Sequence, residues 1–191
     1  PPMPTLLAEA GDGYVRLMWD DVAEQGIDPV TSKNDFEGYR IYRSTDPFFL
    51  DPKVISNARG TGPIGHGRPI AQFDLKNAIK GFSKQTVEGV AYFLGDDSGI
   101  THTWVDSTVA NGQLYYYAIT AYDHGSDSLE FYPSENAITI SRTPRGGTIL
   151  PQNTVEVRPN IKVLGYTPAT ASSLVRRSGI GTGTIEMKVV N

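Results

Sequence analysis

The chain has 191 residues, 39% of them hydrophobic and 20% charged, with 20 Gly, 13 Pro and no Cys. This is the composition of a loop-rich globular protein of one large domain, or of one domain and part of another, and it excludes disulfides, thiol catalysis and Cys-based zinc or iron-sulfur sites. The net charge of -4 hides an asymmetry: beyond Ser141, seven basic residues stand against Glu156 and Glu186, a local balance of +5, which leaves -9 for residues 1–140. So acidic a body is a poor partner for phosphate, and nucleic acid is not expected to bind it. No run of about 18 apolar residues exists, so no membrane-spanning helix is expected. The opening Pro1-Pro2-Met3-Pro4 lacks the basic and apolar regions of a signal peptide, as in a processed or excised piece.

In chain order, Met3 to Glu9 is apolar with prolines at its start, the pattern of an edge strand. After a turn at Gly11-Asp12-Gly13, Tyr14 to Asp20 puts Val15, Leu17 and Trp19 on one face of a second strand, with Trp19 expected in the core. A polar loop from Asp21 to Asp35 leads to a strand at Gly38 to Ser44, with Tyr39 and Ile41 inward and Arg40 and Tyr42 outward. The long segment 45–101 carries signals of its own. They are a Gly-rich run from Gly60 to Gly67, a strand at Arg68 to Phe73, a short helix capped by Asp74 with Leu75, Ile79 and Phe82 on one side, a strand at Val87 to Leu94 and a turn at Gly95 to Gly99. His102 to Asp106 is the next strand. Gln113 to Asp123 then places Tyr115, Tyr117, Ile119 and Ala121 on one face and Tyr116, Ala118, Thr120 and Tyr122 on the other. Apolar on both faces, it reads as a central strand. Glu135 to Ile140 is the last strand of this body.

The Tyr115-x-Tyr117-x-Ile119-x-Ala121 run after an Asn111-Gly112 turn resembles strand F of a fibronectin type III domain, with Tyr115 at the tyrosine corner, its hydroxyl bonded to backbone just upstream. Tyr14 to Asp20 is similar to strand B of that family, Gly38 to Ser44 to strand C, His102 to Asp106 to strand E and Glu135 to Ile140 to strand G. The run from Trp104 to Val109 resembles the segment that precedes the corner in bacterial members. The resemblance covers about 3–141, apart from an insertion at about 45–101. It implies an all-β, immunoglobulin-like sandwich at 3–142 and a structural or adhesive, non-catalytic role outside the cell or on its surface.

Residues 143–160 have the prolines and glycines of an extended linker, and 161–191 form a tail in which 161–164 and 184–190 have the apolar content of strands. Two strands alone make no domain, so Ile161, Val163, Leu164, Ile185, Met187 and Val189 are candidate partner-binding residues. The partner is another domain of the same protein or a neighbouring copy, reached by strand addition. A head-to-tail contact of this kind that does not close gives a filament.

Signals of chemistry are sparse. His66, His102 and His124 stand singly, and Ser98 lies in Gly95-Asp96-Asp97-Ser98-Gly99 rather than a nucleophile motif. Asp96, Asp97 and Asp106, and separately Asp123, Asp127 and Glu130, supply carboxylates of the kind calcium uses but without the Asp-x-Asp-x-Asp-Gly spacing. Neither a metal nor a cofactor is expected, nor catalysis. The alternative role is a carbohydrate-binding module in which Phe48, Phe49, Tyr92 and Phe93 of the insertion stack on a polysaccharide, which requires those rings to be exposed.

Overall fold

A computed structural model of the chain describes residues 1–29, 32–53, 66–87, 89–163 and 165. Two compact units divide it, Pro1–Ile161 and Lys162–Asn191, and nearly all described residues belong to the first.

The first unit is an all-β sandwich. Its strands are β1 (Leu6–Ala10), β2 (Val15–Trp19), β3 (Phe36–Ser44), β4 (Ala71–Asp74), β5 (Gly81–Val87), β6 (Val90–Gly95), β7 (Thr103–Asp106), β8 (Tyr115–Asp123), β9 (Ser141–Arg142), β10 (Thr148–Ile149) and β11 (Thr154–Val157). One sheet has the order β1-β2-β7 and the other β11-β8-β3-β4, all pairs antiparallel, with β5-β6 and β10-β9 as separate hairpins. Period-two alternation builds the core between the two sheets. Leu6, Val15, Leu17 and Trp19 come from one side, and Tyr39, Ile41, Tyr117, Ile119 and Ala121 from the other. The inward residues expected on β2, β3 and β8 are therefore the ones found, and β8 is buried over its whole length.

Gly38 shows how tightly the second sheet is built. A Cβ there would lie 2.3 Å from the Phe73 carbonyl oxygen and 2.8 Å from the Tyr122 hydroxyl. Because backbone blocks that space, Gly38→Ala is expected to cost about 3 kcal/mol, measured by urea denaturation. A loss below about 0.5 kcal/mol would mean that β3 and β4 are not this close.

Four expectations are corrected. The helix after Asp74 does not form: Asp74 closes β4, Lys76–Ala78 is a series of bends, and Phe82 sits in β5 against Phe93. Positive φ at Ala78 (67°) and Gly81 (79°) breaks the helical path, and the Asp74 carboxylate is spent on the 95–99 turn instead of a cap. The single strand expected at Val87 to Leu94 is the turn and second arm of a hairpin, reversed at Gly89 (φ 79°).

The last strand of the body is interrupted. Only Ser134–Asn136 pairs with the end of β8, through Asp123 N–H to the Ser134 oxygen (3.0 Å) and Asn136 N–H to the Ala121 oxygen (3.0 Å). The first half of β8, Tyr115–Ala118, is paired by β11, so 143–160 is no linker and the sandwich runs on to Ile161. Asn153, fully buried, stitches the break by donating from Nδ2 to the oxygens of Ile119 (2.9 Å) and Ala137 (3.2 Å). The Gly60 to Gly67 run lies mostly outside the described residues.

Candidate functional site

In a two-layer sandwich the outer face of the β8-β3 sheet meets water. Here it is covered by the insertion and by the excursion at 137–152, which makes a second buried layer. One part packs Tyr42, Tyr116 and Ala118 against Phe49, Ile138 and Leu150; the other packs Tyr122 against Tyr92, Leu94 and Ile79. Between them lies Arg40, 1% exposed. Its guanidinium carbon stands 3.9 Å from the Tyr92 ring centre and 5.1 Å from that of Tyr122, and Nη2 donates to the Phe93 carbonyl. Glu135 is 4.0 Å from Nη1 and also accepts from the hydroxyls of Tyr42 (3.0 Å) and Thr120 (3.0 Å). Burial works against the Arg40 charge, but Tyr92, Tyr42 and Glu135 outweigh it, and its pKa is raised further. Burial and Glu135 drive the Tyr42 phenol upward. This arrangement holds a cation in aromatic surroundings and locks the insertion to the sandwich.

A second polar cluster closes the end of the sandwich. Asp106, 1% exposed, accepts from Tyr117 Oη (2.7 Å), Arg43 Nη1 (2.7 Å), and the hydroxyl (2.7 Å) and N–H (2.9 Å) of Thr108. Burial pushes this carboxyl up, but Thr108, Tyr117 and Arg43 together hold it below its ordinary value. Next to it, the Tyr115 hydroxyl accepts the Ala110 N–H (2.9 Å), the backbone contact expected of a tyrosine corner. Asp106→Ala is expected to cost about 3 kcal/mol near neutral pH, since four donors lose their acceptor. With a lowered folded-state pKa, the Asp106 contribution is present above the unfolded value of 3.8 and lost as pH falls through the folded one. The stability gap between wild type and variant therefore narrows in acid; thermal melts across that range check it, and a constant gap would assign the loss to packing.

The residues weighed for chemistry are dispersed. His102 Nε2 meets Glu24 (2.6 Å), and His66 Nε2 meets the Asn136 oxygen (2.9 Å) with its ring against Tyr42, so His66 is tucked under the covered face. Asp97 pairs with Lys80 (3.3 Å), Asp123 is bonded to Gly125 and Ser134, and Asp127 pairs with Lys84 (2.6 Å). Among the described residues, no three His, Asp or Glu side chains converge as metal ligands would. The insertion rings do not make a sugar platform. Phe49 and Tyr92 are 1% and 2% exposed, while Phe48 is half-buried under Arg142 (4.5 Å) and Phe93 half-buried against Phe82 (5.2 Å). Among the described residues, open clefts include one of about 530 Å³ between β5 and the 124–133 loop, walled by Phe82 and Phe131, and one of about 480 Å³ beside Arg43, Asp51 and Arg68.

The sheet edges bear on strand addition. Thr101 Oγ1 donates to the Thr103 oxygen (3.0 Å) and accepts its N–H (3.3 Å), which blunts β7. Ser98 Oγ and the Gly99 N–H take the outward backbone groups of Asp74 on β4 (3.0 and 2.8 Å). The seven-residue β5 is longer, but it carries exposed Lys84 at its centre and register shifts along its pairing with β6. Of the candidate tail residues, Ile161 and Val163 are 71% and 77% exposed, and 161–163 forms no strand. Leu164, Ile185, Met187 and Val189 lie outside the described residues. Among the described residues, no helix is long and apolar enough to cross a membrane.

Sequence reasoning passed over Glu37, Arg40, Asp74 and Asn153 as organising residues. A charged residue inside an otherwise apolar strand, as at Glu37 and Arg40, was the signal that could have found two of them. No protein-family model matches the chain, and no curated protein or solved structure matches it.

Proposed function

We propose that the chain is a non-catalytic structural or adhesive module of the fibronectin type III kind, belonging to a bacterial extracellular or cell-surface protein. Its C-terminal tail joins other domains of the same protein or neighbouring copies by strand addition. The observation that carries this reading is the commitment of buried polar side chains to the scaffold: Arg40, Asp74, Asp106, Glu135 and Asn153 all bond across elements of the sandwich and its cover. Such a body is suited to spacing and presentation. The resemblance of strands B, C, E and F and the Tyr115 corner supports the family, and it supports a location outside the cell. Exposed apolar Ile161 and Val163, at the point where the tail departs, support a tail that seeks a partner.

Light scattering of the full chain against a chain ending at Ile161 tests the tail. The boundary is Ile161 because β11 is integral to the sandwich. The full chain is expected to associate with rising concentration, and the shortened one to stay monomeric with an unchanged melting temperature. Two monomers of equal stability would remove strand addition among copies. Surface labelling of intact cells with an antibody to the module tests the location.

A further inference from the structure

At the start of β3 the register against β8 shifts between Phe36 and Gly38, and Glu37, inside that bulge, is fully buried. Its Oε2 accepts from Asn77 Nδ2 (3.0 Å), its backbone oxygen accepts the Leu75 N–H (2.9 Å), and its Oε1 has no partner among the described residues. Other carboxylates hold the segments seated here, 75–80 and the 95–99 turn. Asp74 accepts the N–H groups of Asp97 and Ser98 together with the Ser98 hydroxyl, and Asp97 Oδ1 accepts the Ala78 N–H (3.0 Å). Ala78 and Asp97 have φ of 67° and 58°, a left-handed backbone that non-glycine residues keep only when surroundings hold them there.

Three carboxyls thus meet at one junction. The cations facing it are Lys80, paired with Asp97 (3.3 Å), and Lys76, whose stem runs along Gly99. From β8 comes the Tyr122 hydroxyl, which donates to the Leu94 oxygen and accepts from Gln72. None of these neutralises Glu37. Burial first, then Asp74 and Asp97, push its carboxyl up to about 7 against the single pull of the Asn77 bond.

We propose that Glu37 is a pH latch on the insertion: its neutral carboxyl keeps 75–80 and the 95–99 turn seated on β3, and its ionisation releases them while the sandwich stays folded. A folded-state pKa above the unfolded 4.5 gives stability that is complete below 4.5 and lost as pH rises through about 7. The left-handed residues relax once released. Release of 75–80 withdraws Ile79 from Tyr92, Leu94 and Tyr122, so the surface the module presents changes with pH.

Amide exchange read by NMR at about pH 5.5 and about pH 8.5 tests the latch, after correction for intrinsic rates. The amides of Leu75, Ala78, Asp97 and Gly99 are expected to exchange about tenfold faster at the higher pH, with those of Ile41 and Ile119 unchanged. In Glu37→Gln, which keeps an acceptor for Asn77, the rise disappears. No rise in the wild type, or the same rise in Glu37→Gln, overturns the proposal, and the wild-type profile decides even where the variant folds poorly.

Discussion

Arg40→Ala is expected to destabilise the sandwich by about 3 to 5 kcal/mol, measured by guanidinium denaturation. The loss has two physical parts. Removing the side chain leaves a void between the rings of Tyr92 and Tyr122, and it leaves Glu135, whose side chain is 8% exposed, facing only the hydroxyls of Tyr42 and Thr120. Arg40→Met separates them, because it refills most of the void without restoring the charge. The ion pair is long, at 4.0 Å, whereas the Tyr92 stack is close, at 3.9 Å, so contact with the rings is expected to carry more of the energy than the pair. Arg40→Met/Glu135→Leu should then recover much of the loss, as replacement of a whole buried pair often does. A change below about 1 kcal/mol for Arg40→Ala would mean that the insertion does not seal this face.

Trp19→Ala is expected to cost about 3 to 5 kcal/mol by the same measurement. Trp19 is 6% exposed and ends β2 against rings from three other elements: Tyr39 on β3 (5.9 Å), Phe73 on β4 (5.9 Å) and His102 just before β7 (6.5 Å). Alanine reaches none of these rings, and the backbone of paired strands cannot close over the gap. Trp19→Phe should cost only about 1 kcal/mol, since the indole Nε1 has no partner among the described residues and its removal breaks no hydrogen bond. A Phe variant as damaged as the Ala variant would show that the indole donor is engaged after all.

The parts of this fold legible in the sequence are those written in local periodicity. Val15, Leu17 and Trp19 alternate with polar or half-buried neighbours and so announce one buried face. Gln113 to Asp123 is apolar on both faces and so announces a strand covered twice, as β8 is. Even the tyrosine corner follows from local order, since Tyr115 and Ala110 are five residues apart. What the sequence could not decide lies in pairings between distant segments. Glu135 to Ile140 has strand composition, yet the first half of β8, Tyr115–Ala118, pairs with Thr154–Val157, because strand propensity says which residues can join a ladder and not which segment reaches it first. The helix expected after Asp74 failed for the same reason: the Asp74 carboxylate found the N–H groups of Asp97 and Ser98, more than twenty residues away, and only the folded chain brings them within reach. Arg40 and Tyr42 point outward from the first core as their alternation requires. Whether outward meant water or a second buried layer depended on where the insertion lay down, and tertiary packing alone settles that.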